Sequence, residues 1–456
     1  MLLEVAVVLV TSVAGLPATE VSSVPSLPLH SVVVTDSPAP FVGPVVDTAP
    51  SSSSATEAST ALTATQSLSR LARIPADGIS AFLSASPHVV DQLLAEQPSP
   101  HEVALWWGEL DGDRQTALEA ASPRLVGNLE GVPYTVRDLS NRAMLDEAMG
   151  QLSIMISSDV GRAVQQDARQ QLNMLNSIAQ SLELEHTGPA RTLISLDVSG
   201  QGRAAIVLGD PSEADYVSYL VPGMFFTIEN QMTYWVDAAH DLYDQQLQWL
   251  DHFEERSVFS HNESVATVAW IGYDTPNLTN VGAIDNALQG RDTLAQAIMG
   301  LQAQRGDDQP YISIVAHSYG STAALMALSE YDFEVDALAI VGSPGSPAAS
   351  IEELNVRDGN VFVGEAAWDP IPNSSYFGPD PGSKDFGARS LGVSGAFDII
   401  MNQELSGSVG HNEYFQPGTE AMRNFALLSI GRSDLVIPET QSTVQRAFAT
   451  PVSRQG

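Results

Sequence analysis

YISIVAHSYGSTAALMALSE, residues 311–330, joins an apolar, β-branched run at Ile312 to Ala316 to a helical pattern at Thr322 to Ser329 through His-Ser-Tyr-Gly. This is the layout of a nucleophile elbow, a sharp strand-to-helix turn that exposes a serine oxygen and leaves the next backbone N–H free to bind an oxyanion. Such a turn crowds strand against helix, so it needs small residues two positions before and two after the serine. Around Ser318 these are Ala316 and Gly320. Alanine replaces the first glycine of G-x-S-x-G and keeps the small volume. Ser321, Thr322, Ala323 and Ala324 let the helix approach the sheet. Packing alone also produces strand–turn–helix units with small residues, so the partners of Ser318 decide.

In elbow-bearing sheets the chain order runs serine, acid, histidine. His411 is the only one of nine histidines after Ser318, in Val-Gly-His-Asn-Glu-Tyr before a helix pattern at Gly418 to Ser429. A loop there suits a general base. For the acid, Val361 to Val363 reads as a strand with Asp369 a few residues beyond it, where a carboxylate reaches the histidine and fixes its tautomer. Asp369 is the expected acid; Glu365 and Asp398 are fallbacks, and an Asp-Pro turn is the plain alternative. The second oxyanion donor belongs to the loop after an earlier strand. Tyr219-Leu-Val-Pro-Gly-Met224 fits, which gives the N–H groups of Tyr319 and Met224 as donors, with Gly223 the near alternative. Met224, Phe225 and Phe226 suggest an apolar acyl pocket. His317 adjoins the nucleophile and is expected to pack beside the site or touch substrate.

Working outward, Ile194 to Val198 and Ala204 to Leu208 flank Ser-Gly-Gln-Gly, a hairpin signal. Further strand patterns at Val217 to Val221, Ala266 to Ile271 and Ala337 to Val341 alternate with helical ones at Met232 to Phe253 and Gly282 to Gln304. A hairpin leading into alternating strands and helices outlines a mostly parallel, doubly wound α/β sheet. The catalytic domain is expected over 191–435, with a flexible tail over 436–456.

Upstream, residues 67–190 read as helical, a possible lid or cap. Serine–proline pairs at 86–87, 99–100 and 122–123 suit helix entry. One long stripe from Leu145 to Leu182 recurs every three or four residues and breaks at Gln171. Trp106-Trp107 reads as an interdomain or core anchor, and Asp111-Gly-Asp113 as a helix cap rather than a calcium loop. Residues 17–66 are rich in Ser, Thr, Pro, Ala and Val, the composition of a linker. Residues 1–16 hold an apolar run of signal-peptide length that lacks a basic leader and is short for a bilayer span. Secretion or attachment to the envelope is the expectation, a cytoplasmic location the alternative.

The chain has 456 residues, 44% of them hydrophobic, enough for a large core. Its net charge of −35, with Lys384 the single lysine, argues against nucleic acid and anionic membranes as partners. Cysteine is absent, which rules out disulfides and thiolate metal sites. The chemistry read here requires neither metal nor organic cofactor.

An ordered set of motifs resembles an actinobacterial α/β-hydrolase family long catalogued only as a domain of unknown function. It comprises Gly202-Arg-Ala-Ala205, Gly209-Asp-Pro211, Leu220-Val-Pro-Gly223, Trp270-Ile-Gly-Tyr-Asp274, His317-Ser-Tyr-Gly320, Gly342-Ser-Pro-Gly345 and His411, preceded by Gly127-Asn-Leu-Glu-Gly-Val-Pro133 and Arg137-Asp-Leu-Ser-Asn-Arg142. The resemblance implies an α/β-hydrolase fold with a triad at Ser318, Asp369 and His411. Ala316 and Met224-Phe-Phe226 depart from the family pattern. The expected function is a serine hydrolase acting on small-molecule esters or lipids. The alternatives are an acyltransferase with the same triad, and a non-catalytic envelope or binding protein on this scaffold.

Overall fold

The computed structural model describes residues 63–183, 188–255, 263–277, 279–372 and 374–439. The expected apolar segment, the linker up to residue 62 and the tail beyond 439 lie outside the described residues. Within them, no helix is long and apolar enough to cross a membrane.

Eight helices come first: α1 (Ala64–Arg73), α2 (Ala76–Ala85), α3 (His88–Glu96), α4 (Pro100–Glu109), α5 (Gly112–Ala121), α6 (Pro123–Asn128), α7 (Tyr134–Ser157) and α8 (Arg162–Leu182). Helix α1 starts inside the expected linker, where Thr63 and Gln66 form a reciprocal capping box. Asp111 caps α5 through the N–H of Arg114, as its sequence suggested. Helices α1 to α6 enclose a small core of their own that contains Leu71, Leu93, Trp106, Trp107 and Leu125. The long stripe breaks at residues 158–161, not at Gln171. Ser153, Ser157 and Ser158 return hydroxyl hydrogen bonds to main-chain carbonyls there, and Gly161 caps the next helix. Gln171 faces no such competition and stays helical.

The second half contains β1 (Arg191–Asp197), β2 (Arg203–Leu208), β3 (Tyr216–Val221), α9 (Ile228–Glu254), β4 (Val265–Ile271), α10 (Asp285–Arg305), β5 (Tyr311–His317), α11 (Tyr319–Glu330), β6 (Ala337–Val341), β7 (Val361–Gly364), β8 (Arg389–Ser390) and α12 (Glu420–Ser429). The strands form one sheet in the order β1-β2-β4-β3-β5-β6-β7-β8, with β2 antiparallel to both neighbours and the remaining pairs parallel. The two-residue strands β9 (Phe397–Asp398) and β10 (Gln403–Glu404) pair separately; these and β8 are too short to show a period. Strand β5 lies between β3 and β6 and sends alternate residues to opposite faces. Val315 meets the core under α8, α9 and α12, while Ile314 and Ala316 meet the core under α10 and α11. This is the doubly wound α/β-hydrolase arrangement that the motifs implied.

The helical half is stapled to the outer strand β1. Asp138 accepts from Leu193 N at 2.6 Å, Asn141 Nδ2 donates to Leu193 O at 3.0 Å, and Asn128 accepts from Leu196 N at 2.8 Å. These side chains satisfy main-chain groups of an edge that is otherwise open to pairing with another chain. The helical region therefore sits along the sheet's flank. The tail expectation also changes: Asn424 brackets the main chain of Ile437, and Glu439 accepts from Val393 N, so residues 436–439 belong to the fold.

Candidate active site

Ser318 adopts φ 55°, ψ −130° between β5 and α11. This region disfavours any residue with a Cβ, so the turn is strained. Its neighbours enforce it. A Cβ on Gly320 would lie 2.2 Å from Pro222 O, and one on Gly223 would lie 2.5 Å from Ser318 Cβ. Ser321 Oγ donates to Ser318 O or to Ser343 Oγ, and Thr322 Oγ1 donates to Gly345 O, which ties the start of α11 to the loop after β6.

Ser318 Oγ lies 2.7 Å from His411 Nε2, and His411 Nδ1 lies 2.9 and 3.0 Å from the two oxygens of Asp369. Asp369 follows β7, and His411 precedes α12. Their loops are laced by the Gly410 N–H to Ala367 O bond at 2.8 Å. Asp369 accepts further from Tyr414 Oη at 2.7 Å and from Ile371 N at 3.0 Å. Burial opposes the charge of Asp369, yet hydrogen bonding to His411, Tyr414 and Ile371 outweighs it and holds the carboxyl below its usual range. Gly342, at φ 60°, fits under this pair: a Cβ there would lie 2.9 Å from Asp369 Oδ2 and 3.0 Å from His411 Cε1. Neither Gly342 nor Tyr414 carried a site role in the sequence reading. Position three after His411 was the one available signal for Tyr414.

The fallback acids stand elsewhere. Asp398 is buried against Arg423 at 2.9 Å and holds the N–H groups of Ile400 and Met401. Glu365 makes no hydrogen bond to His411 among the described residues. Arg423→Met leaves Asp398 buried without its cation and is expected to cost about 3–5 kcal/mol of stability. A shift of the urea midpoint checks this.

Tyr319 opens α11, so its N–H has no acceptor in the preceding turn of helix. Neither that N–H nor that of Met224 donates to another group among the described residues. The N–H of Gly223, the alternative donor, likewise donates to no group among the described residues, and a Cβ on Gly223 would meet Ser318. The Met224 loop is held by Tyr273 Oη on Pro222 O at 2.7 Å and by Phe225 N on Pro276 O at 3.0 Å. Beside Ser318 lies a pocket of about 240 Å³, lined by Met224, Phe225, Phe226 and His317 together with Tyr234 and Phe415, among others. Among the described residues, none of 67–190 lines it.

His317 is buried, and its Nε2 lies 2.7 Å from His411 O. Burial first, and the neighbouring His411 second, push its pKa down to about 3. A ring that is neutral when folded and charged near pH 6.5 when unfolded binds fewer protons in the native state. The stability it contributes is therefore full above pH 6.5 and is lost as the pH falls toward 3. Relative to His317→Gln, wild type should lose up to about 1.4 kcal/mol per pH unit in that window. Urea titrations of both proteins at pH 4, 5, 6 and 7 check it.

Residues 197–379 match the family model described as alpha/beta hydrolase. An uncharacterized protein of Mycobacterium tuberculosis is 26% identical over 374 residues, covering 73% of this chain and 56% of its own. The chain thus spans little more than half the length of that relative. An uncharacterized protein of Mycobacterium bovis is 28% identical over 222 residues, 48% of this chain and 80% of that one. Among solved structures, a hyperthermophilic esterase from the archaeon Pyrobaculum calidifontis is 14% identical with a TM-score of 0.31, covering 64% of this chain and 96% of its own. The matched residues and the mycobacterial relatives together fit an actinobacterial α/β-hydrolase family of unknown function, the family that the sequence resembles.

Proposed function

We propose that the protein is a serine hydrolase that cleaves carboxylic esters through an acyl-enzyme. The observation that carries this reading is the unbroken hydrogen-bonded line from Ser318 Oγ through His411 to Asp369. His411 Nε2 takes the Ser318 proton as Oγ attacks the carbonyl carbon, and Asp369 stabilises the imidazolium that results. The N–H groups of Tyr319 and Met224 receive the negative charge on the carbonyl oxygen. Collapse expels the alcohol, protonated by His411, and water repeats the sequence to free the acid and Ser318. The apolar wall formed by Met224, Phe225 and Phe226 favours an apolar acyl group.

The test is intact mass after treatment with a fluorophosphonate probe, followed by an ester chain-length panel. A single adduct on wild type that vanishes in Ser318→Ala is expected. A folded wild type that takes no adduct and cleaves no ester would overturn the reading.

A further inference from the structure

Exposed apolar side chains gather at the bend between α7 and α8. Ile154, Met155, Val160 and Val164 all lie within about one helical turn of residues 158–161, and each is exposed, Ile154 to 70%. Farther from the bend the same two helices bury their apolar residues, Leu145, Leu152, Ala168 and Leu175 among them, in the main core.

The direction of the two helices places this bend. Trp235 Nε1 donates to Leu220 O and, farther along α9, Gln246 Nε2 donates to Ser218 Oγ, so α9 runs antiparallel to β3 and begins at the sheet edge that carries Ser318. Ser177 Oγ donates to Glu229 O at 2.9 Å and Ser181 Oγ lies 3.4 Å from Thr233 Oγ1, so α8 runs beside α9 in the same direction. The turns of α8 that precede Ser177 therefore project past the catalytic edge. At about 1.5 Å per residue, the stretch from Arg162 to Ser177 carries the bend on the order of 10–20 Å beyond the start of α9.

Trp368 stands on the same edge. It precedes the triad acid, is 89% exposed, and adopts φ 65° in the turn closed by Asp369 N–H to Ala366 O at 3.2 Å. Glycine would relieve that conformation, and the ring would be more stable buried. A strained backbone that holds a tryptophan out in water contributes nothing to the core, and such strain gathers at functional sites. Val409, bridged to Ala367 from the His411 loop, is exposed as well.

Charge selects the partner. Between Gly150 and Gln166 the only charged residues are Asp159 and Arg162, of opposite sign, on a chain of net charge −35. Such a bend can enter a layer without net charge, while the rest of the chain is repelled by anionic headgroups. A second copy is a poor match, since a stable dimer buries about 800 Å² on each partner and the bend offers four side chains. Reversible binding to lipid asks for less: a few aliphatic side chains in the acyl boundary and a tryptophan at headgroup level.

We propose that the protein docks on a zwitterionic lipid surface through the α7–α8 bend and Trp368, with the mouth at Ser318 turned toward the lipid. The proposal rests on the esterase reading for its purpose, the cleavage of esters held in that surface, but the docking itself is a binding property.

The experiment is co-flotation of the full chain with phosphatidylcholine vesicles, comparing wild type with the double variant Ile154→Ser/Val164→Ser and with Trp368→Ser. All three side chains are exposed, so the variants place little demand on the core. Wild type should float with the vesicles. The partition coefficient should fall about tenfold or more in the double variant and by several-fold in Trp368→Ser. On a water-soluble short-chain ester the double variant should keep the wild-type kcat/KM, and on an ester presented in vesicles it should lose about the factor lost in binding. Wild type that stays unbound, or variants that bind as well as wild type, would overturn the proposal. So would tighter binding when phosphatidylglycerol is added, or a dimer that the double variant dissociates, which would assign the bend to a second copy. Flotation needs no turnover, so the two readings fail separately. Vesicle binding by a wild type that cleaves no ester overturns the esterase reading alone, and cleavage of soluble esters by a wild type that never floats overturns the docking alone.

Discussion

Ser318→Ala is expected to lower ester turnover by about 10⁵- to 10⁶-fold while the protein remains folded. Alanine removes the only atom that His411 Nε2 approaches along the reaction line, and no other hydroxyl is hydrogen-bonded to that nitrogen among the described residues. The N–H groups of Tyr319 and Met224 and the pocket would persist, so a small residual rate over water should survive. A stability measurement extends the test. At φ 55°, ψ −130° a residue with a Cβ stores about 1–3 kcal/mol of strain, which glycine does not. Ser318→Ala and Ser318→Gly lose the same hydroxyl, so comparing them isolates the backbone. After allowing about 0.4–1 kcal/mol for the greater unfolded-state freedom of glycine, the glycine variant should still be the more stable by about 1 kcal/mol. Equal urea midpoints would mean that the elbow stores no more strain than the about 0.4–1 kcal/mol that glycine's freedom offsets, and an active Ser318→Ala would remove the serine mechanism.

The elbow was legible because its demands are local. A β-branched run, a serine flanked by small residues and a helix start all fall within residues 311–330, and the β5–α11 junction appears where they predict it. His411 was legible by elimination, since no other histidine follows Ser318. Asp369 needed one further step, its place beyond a strand. What supports these residues was not legible, because it arises between distant segments. Gly342 and Tyr414 gain their roles only when the loops after β6 and β7 meet the loop before α12. Likewise the break at 158–161 depends on serine side chains that turn back on their own helix, which hydrophobic spacing does not register. The flank position of the helical region depends on Asp138, Asn141 and Asn128 finding the main chain of β1. Their polar pattern on helices gives no direction from sequence alone.

The second large effect is expected at Asp369. Its two oxygens receive His411 Nδ1, Tyr414 Oη and Ile371 N, so every group facing the carboxylate is a donor. An asparagine in its place cannot match this, because one end of the amide is itself a donor. If that end faces His411, the imidazole must take the tautomer with its proton on Nε2, which can no longer accept from Ser318. If it faces Tyr414, the phenol must turn its proton away, and the imidazolium loses its counter-charge in either case. Asp369→Asn should therefore lower kcat about 10³- to 10⁴-fold with little change in KM. Tyr414→Phe removes only one neutral donor and leaves the charge in place, so a loss nearer tenfold is expected. The pH profile distinguishes the two. In Tyr414→Phe the carboxyl loses one of the bonds that hold its pKa down, so the acidic limb of activity should move upward. In Asp369→Asn no ionisable carboxyl remains at this position, so that shift has no counterpart. If Tyr414→Phe, which keeps the charge, loses as much activity as Asp369→Asn, Asp369 does not act on His411 by charge.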